Sequence, residues 1–287
     1  MKTAAALKVT YYPGCSLEST ASDYNASIQA LTGMLGIELS EVEDWNCCGS
    51  TSAHSLNHDL SVSLSARNVV RAEASGRDLI IPCSLCFNRL KTAEKALREG
   101  TIQDPRFSGH IRIRDLLDFM SSAEVLDRFS KLVTKPLKDL KAVCYYGCQG
   151  YRPPEITGRA DWENPKDIDR VITSCGATAL DWPFKTDCCG ASHAVARQDV
   201  VFELVGRLYD RAMAQGAQCF VVSCQMCQAN LDMYQEKISQ ARGRKYHLPV
   251  FYFTELMGLA VGHPEVSKWL SRHFVDPLPL LKELELL

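Results

Sequence analysis

One cysteine pattern, written twice, limits what this chain can fold into. Asp44–Trp45–Asn46–Cys47–Cys48–Gly49 is echoed by Thr186–Asp187–Cys188–Cys189–Gly190. Each Cys-Cys-Gly follows a distant upstream cysteine and precedes, after 34 intervening residues, a Cys-x-x-Cys. The first set is Cys15, Cys47, Cys48, Cys83 and Cys86; the second is Cys148, Cys188, Cys189, Cys224 and Cys227. An identical gap in both halves reads as a metal-site arrangement used twice, so the fold must gather five scattered thiols in each half.

The repeat extends beyond the cysteines. Cys48 and Cys83 map onto Cys189 and Cys224 by 141 residues and Leu116 onto Leu256 by 140, whereas Cys15 maps onto Cys148 by 133. An eight-residue insertion between Cys148 and Cys188 accounts for the difference, in a region where residues 152–166 hold three of the 12 prolines. Tandem duplication of a domain, not a short-period solenoid, follows. A length of 287 residues suits two domains, expected at 1–130 and 131–287, the second with a leucine-rich tail.

Short apolar runs at 8–12, 37–42 and 79–82 read as strands and alternate with helical patterns at 22–35, 54–74 and 85–98. A further strand near 110–113 and a helix at 115–120 complete the half. The second half repeats the order, with strands at 142–146, 179–182, 219–223 and 250–253 and helices at 167–174, 199–215, 226–241 and 254–261. The expected class is α/β: two similar domains, each a small, mainly parallel sheet flanked by helices. Sites in such folds gather beyond the carboxyl ends of strands, where every motif cysteine falls.

Composition narrows the function classes. With 32 basic and 34 acidic residues well mixed and no Lys/Arg-rich run, nucleic acid is not an expected partner. The N-terminus holds no signal-peptide apolar region, and no stretch approaches the ~18 apolar residues of a membrane span. A cytoplasmic, reducing location is expected, in which 13 cysteines serve as metal ligands before disulfides. Cys144, Cys175 and Cys219, outside the motif, read as buried small apolar residues.

Structural zinc is the main rival for the motif cysteines, but zinc takes four tetrahedral ligands and each set offers five thiols, two of them adjacent. Adjacent cysteines reach different irons of a larger cluster more easily than one small ion. A thioredoxin-type pair needs only the Cys-x-x-Cys and leaves six motif cysteines unexplained. An iron–sulfur cluster is the better reading, with one zinc in place of a cluster as the alternative.

The doubled spacing resembles the cysteine-rich CCG-domain family, and within it the B subunit of heterodisulfide reductase. Tyr12–Pro13–Gly14–Cys15, Arg152–Pro153–Pro154, Asp181–Trp182–Pro183–Phe184–Lys185–Thr186 and Asn230–Leu231–Asp232 carry the likeness outside the Cys-Cys-Gly motifs. The resemblance implies that each five-cysteine set holds a noncubane [4Fe-4S] cluster. It also implies that a disulfide is split in a pocket between the facing clusters. Two one-electron clusters flanking one S–S bond would meet its two-electron demand.

His54 and His193 follow the two Cys-Cys-Gly motifs. Either is a plain helix-start histidine or a proton donor to the leaving thiolate. The chain has no G-x-G-x-x-G loop and no ferredoxin cysteine run, so a partner must supply electrons. The resemblance implies a small iron–sulfur protein like the C subunit of such complexes, fed by a flavoprotein like their A subunit. The tail, with Trp269, Leu270 and Phe274 on an amphipathic pattern and leucines over 278–287, either packs on its own domain or docks a partner or lipid. Its acidic residues weaken the lipid option. The alternative function is a quinone-reactive, electron-transferring anchor subunit of a succinate or fumarate–quinone oxidoreductase, which also uses doubled CCG domains.

Overall fold

The computed structural model describes residues 6–50 and 52–287. In the first half, β1 (Leu7–Tyr11), β2 (Ile37–Glu41), β3 (Leu79–Ile81) and β4 (Ile113–Asp115) form a sheet in the order β2-β1-β3-β4. In the second, β5 (Lys141–Tyr145), β6 (Thr178–Leu180), β7 (Cys219–Val222) and β8 (Val250–Tyr252) follow the order β6-β5-β7-β8. Every pairing is parallel, and Ile81 stands opposite Asp115 as Val222 stands opposite Tyr252. The expected pair of similar α/β units is therefore present. In each order the chain reverses direction between the first and third strands, so a crevice opens beyond their carboxyl ends.

Local chemistry sets the helix boundaries. The pattern expected over 54–74 divides into Ser52–Leu56 and His58–Glu73, because the Asn57 side chain accepts from Leu60 N at 3.0 Å and starts a new helix. The helix expected over 226–241 breaks at Tyr234 into Gln225–Met233 and Gln235–Arg242. There the buried Gln235 amide donates to Leu231 O at 3.0 Å and to Leu248 O at 2.6 Å, taking a carbonyl the helix would otherwise use.

One apolar core runs across both halves, from the Ser22–Met34 helix through β5, β7 and β8; a second lies in the first half between β3 and the helices His58–Glu73 and Ser84–Arg98. Cys144, Cys175 and Cys219 are fully buried in the larger core, as small apolar residues. Leu281 and Leu286 of the tail are buried in the larger core, which spans both halves, and the Val266–Leu270 helix ahead of them also meets the Ser22–Met34 helix of the first half. Phe274 departs from the expected stripe and is 70% exposed, because its backbone turns inward to donate to Asp232 at 2.7 Å. No helix among the described residues is long and apolar enough to cross a membrane.

The halves meet along a polar and aromatic seam. Tyr24 stacks on Tyr252 with ring centroids 4.0 Å apart and donates to Ser223 O at 3.0 Å, while the Ser27 and Thr254 hydroxyls lie 2.7 Å apart. The inserted segment closes the other side. Arg159, 12% exposed, pairs with Asp118 at 3.3 Å and with Asp167 at 3.1 Å, and Asn88 donates to Gln149 O and Arg152 O.

Candidate metal centres

Each five-cysteine set converges at the crevice its sheet creates. Cys15 follows β1, and Cys47 and Cys48 lie in the loop after β2. Cys83 caps the Ser84–Arg98 helix directly after β3, and Cys86 lies in its first turn. Cys148, Cys188, Cys189, Cys224 and Cys227 occupy the matching places in the second half. Sulfur–sulfur separations are 3.7 Å for Cys15–Cys47, 3.3 Å for Cys48–Cys86 and 3.8 Å for Cys189–Cys227. Among the described residues all thirteen cysteines are free thiols.

Within each adjacent pair the two residues differ in exposure: Cys47 and Cys188 are exposed, whereas Cys48 and Cys189 are buried. A tyrosine supports each pair from beneath. Tyr12 donates to Asn46 O at 2.8 Å and Tyr145 to Asp187 O at 2.6 Å, each holding the residue just before Cys-Cys. Gly14 and Gly147, both with positive φ, let the chain pass close under a thiol. A Cβ at Gly14 would lie 3.1 Å from Cys86 Sγ, and one at Gly147 2.8 Å from Cys227 Sγ. The sequence analysis names Tyr12 and Gly14 only within the resembling Tyr-Pro-Gly-Cys motif, with no role, and does not name Tyr145 or Gly147, although each tyrosine and glycine repeats at the 133-residue offset of Cys15 and Cys148.

The donor set suits a metal better than it suits protons. Hydrogen bonds from Cys47 and Cys86 hold Cys48 down to about 3, and the same bonds push Cys47 and Cys86 up. In the second set Cys227 holds Cys224 down to about 6, Cys148 does so for Cys188, and Cys148 and Cys227 are pushed up. Crowded thiols that must share protons become a set of soft thiolate ligands once a cationic centre takes the protons' place. Five sulfurs exceed the four that one tetrahedral ion takes and fit a multi-iron centre better.

The second site opens on a cavity of about 80 Å³. Its lining includes Tyr146, Gln149, Met226 and all five second-set cysteines, and Ser84 and Leu85 from the first half complete the wall. His54 and His193 are exposed. The Arg89 guanidinium, then burial and His58, hold His54 below the usual imidazole range, and His193 faces Cys188.

The sequence signature described as the cysteine-rich domain, CCG, matches residues 9–91 and 142–232. The chain belongs to the CCG cysteine-rich domain family. Over 279 residues this CCG chain is 28% identical to the 8-methylmenaquinol:fumarate reductase membrane anchor subunit of Wolinella succinogenes, covering 94% of the chain and 98% of that protein. Over 295 residues it is 24% identical to the B subunit of the ferredoxin:CoB-CoM heterodisulfide reductase of Methanosarcina mazei, covering 96% and 97%. A hypothetical protein from Helicobacter pylori shares the fold, with a TM-score of 0.71 at 12% identity; the match covers 94% of this chain and 53% of that one. The CCG chain thus stands among iron–sulfur, electron-transferring oxidoreductase subunits, and its resemblance to the heterodisulfide reductase B subunit extends over nearly its whole length.

Proposed function

We propose that this chain is the catalytic subunit of a heterodisulfide reductase-like complex, reducing a disulfide to two thiols between two noncubane [4Fe-4S] clusters. Cys15, Cys47, Cys48, Cys83 and Cys86 would hold one cluster, and Cys148, Cys188, Cys189, Cys224 and Cys227 the other. The observation that carries this reading is the shared wall: the second thiol set faces a cavity that Ser84 and Leu85, beside Cys83, close from the opposite half. The Ser84 hydroxyl donates to the Cys224 sulfur, and burial, with smaller contributions from Cys224 and Cys83, raises the Tyr24 phenol, so the two sets border one seam.

When bound, such clusters supply electrons one at a time. The protein's own residues account for the rest. Leu85, Met226 and Ala191 give the cavity apolar surface, and the half-buried Gln149 offers an amide to orient a substrate. The S–S bond takes up two electrons and two protons, and two S–H groups form. His193, at the rim beside Cys188, is the proposed proton donor of the second site, and His54 that of the first. The electrons come from an iron–sulfur protein like the C subunit and a flavoprotein like the A subunit, in a cytoplasmic complex.

The test is iron and acid-labile sulfide per chain in anaerobically purified protein, paired with dye-driven disulfide cleavage. About eight irons and about eight sulfides are expected, with turnover abolished by Cys48→Ser or Cys189→Ser. About four irons beside one sulfur-bound zinc would overturn the two-cluster reading. The 28% identity to a fumarate reductase anchor favours a second reading, a quinone-reactive protein that transfers electrons. Co-purification with a dicarboxylate-reacting flavoprotein, and no disulfide cleavage, would establish that reading instead.

A further inference from the structure

Away from both thiol sets, three segments bring ionisable groups together inside the seam. Asp23 comes from the Ser22–Met34 helix of the first half, Glu255 from the Phe253–Ala260 helix of the second, and His273 from the segment after the Val266–Leu270 helix. One ligand atom from each lies within 4.8 Å of the other two. The side chains of Glu255 and His273 are 0% exposed, and Asp23 as a residue is 9% exposed.

One carboxylate oxygen of this cluster, Asp23 Oδ1, is buried without a hydrogen-bond partner; His273 Nδ1 is buried likewise, but it is Nε2 that meets Glu255. Leaving such an oxygen unsatisfied costs about 1–3 kcal/mol, so a native fold gives it a partner. The charge is unbalanced too. Asp232 also faces His273, which sets three carboxylates around one imidazole. On the other side of the seam, Arg159 joins Asp118 to Asp167 and Arg114 adds to Asp118, so arginines neutralise the carboxylates there. Among the described residues, the ion pair at Glu255 is with His273 alone.

We propose that Asp23, Glu255 and His273 bind a zinc-class divalent cation that ties the first half, the second half and the C-terminal segment together. Imidazole with carboxylates is a donor set that zinc accepts at about 2.0–2.2 Å. His273 Nε2 and Glu255 Oε1 lie 2.9 Å apart, a separation two neighbouring ligands of one ion can hold, so the ion replaces the proton they now share. Asp232 positions the imidazole. Its oxygens accept from Phe274 N at 2.7 Å, Val275 N at 3.0 Å and Gln228 Nε2 at 3.2 Å, fixing the backbone just after His273. This site shares no ligand with the cysteine sets and stands whatever they hold.

The experiment uses the whole chain, purified anaerobically with its iron retained, and ZnCl2 as the probe. Elemental analysis after dialysis, or calorimetric titration where the metal has been lost, is expected to give about one zinc per chain. X-ray absorption at the zinc edge should show an oxygen/nitrogen shell near about 2.0 Å and no sulfur shell. His273→Gln and Asp23→Asn should each weaken zinc retention by at least about tenfold with iron per chain unchanged. Where His273→Gln gives no soluble protein, the volume-preserving Asp23→Asn decides. A holoprotein that neither retains nor takes up zinc would overturn the proposal and leave a protonated His273 holding the cluster. Zinc with a sulfur shell, unaffected by either variant, would overturn it as well.

Discussion

At the scale of single residues, a glycine beneath a thiol and a glycine in open space separate two kinds of cost. Gly147 combines φ +66 with a thiol 2.8 Å from where a Cβ would sit, whereas Gly216 has φ +75 and open space around it. Gly216→Ala should therefore cost only the left-handed backbone, about 1–2 kcal/mol, with iron per chain unchanged. Gly147→Ala should cost that and also displace Cys227, so the iron content of anaerobically purified protein should fall by about half if this set holds one of two equal clusters. Equal iron in both variants would show that the close approach does not matter. Cysteine spacing made all ten candidate ligands legible in the sequence. The supporting roles of Tyr12, Tyr145, Gly14 and Gly147 were not, because a tyrosine or glycine next to a strand has ordinary core and turn explanations; Tyr12 and Gly14 stand in the resembling motif without a role, and the 133-residue offset alone points to Tyr145 and Gly147.

At the scale of elements, the loop ahead of the second Cys-Cys-Gly depends on a buried ion pair. Lys185, 1% exposed, donates to Asp169 Oδ1 at 2.7 Å and to Pro165 O at 3.0 Å, while its own carbonyl accepts from Tyr146 N at 2.8 Å. Burial lowers the Lys185 ammonium and the Asp169 carboxylate opposes that. Lys185→Met should destabilise the protein by about 1–3 kcal/mol in denaturant unfolding, because it removes the buried donor to Asp169 Oδ1 and leaves that carboxylate with the Tyr146 hydroxyl and the half-exposed Lys166. Lys166→Met, which removes a half-exposed partner of the same aspartate, should cost about 0–1 kcal/mol. The strands were legible because buried parallel strands read as short apolar runs between turn residues. The helix breaks at Asn57 and Tyr234 were not, since each arises from a side chain that captures a backbone group, and apolar periodicity continues through both positions.

At the scale of the whole molecule, the insertion that shifts the repeat offset fastens the halves. Arg159 lies in it and reaches Asp118 in the first half and Asp167 in the second. Arg159→Met leaves both carboxylates without that partner and should lower unfolding free energy by about 3–5 kcal/mol. Thermal or urea denaturation checks this, and a loss below about 1 kcal/mol would mean the seam is held by its aromatic side alone. Sequence exposed the insertion as an eight-residue difference but not its task, since the docking of one half on the other leaves no periodic trace. For the same reason, nothing in the spacing places Ser84 and Leu85 in the wall of the opposite site. That wall makes the second centre unequal on its two sides: Cys224 and Cys227 are 5% and 7% exposed behind it, whereas Cys188 is exposed. A thiol-alkylating reagent given the folded, iron-free chain should therefore mark Cys188 well before it marks Cys224 or Cys227.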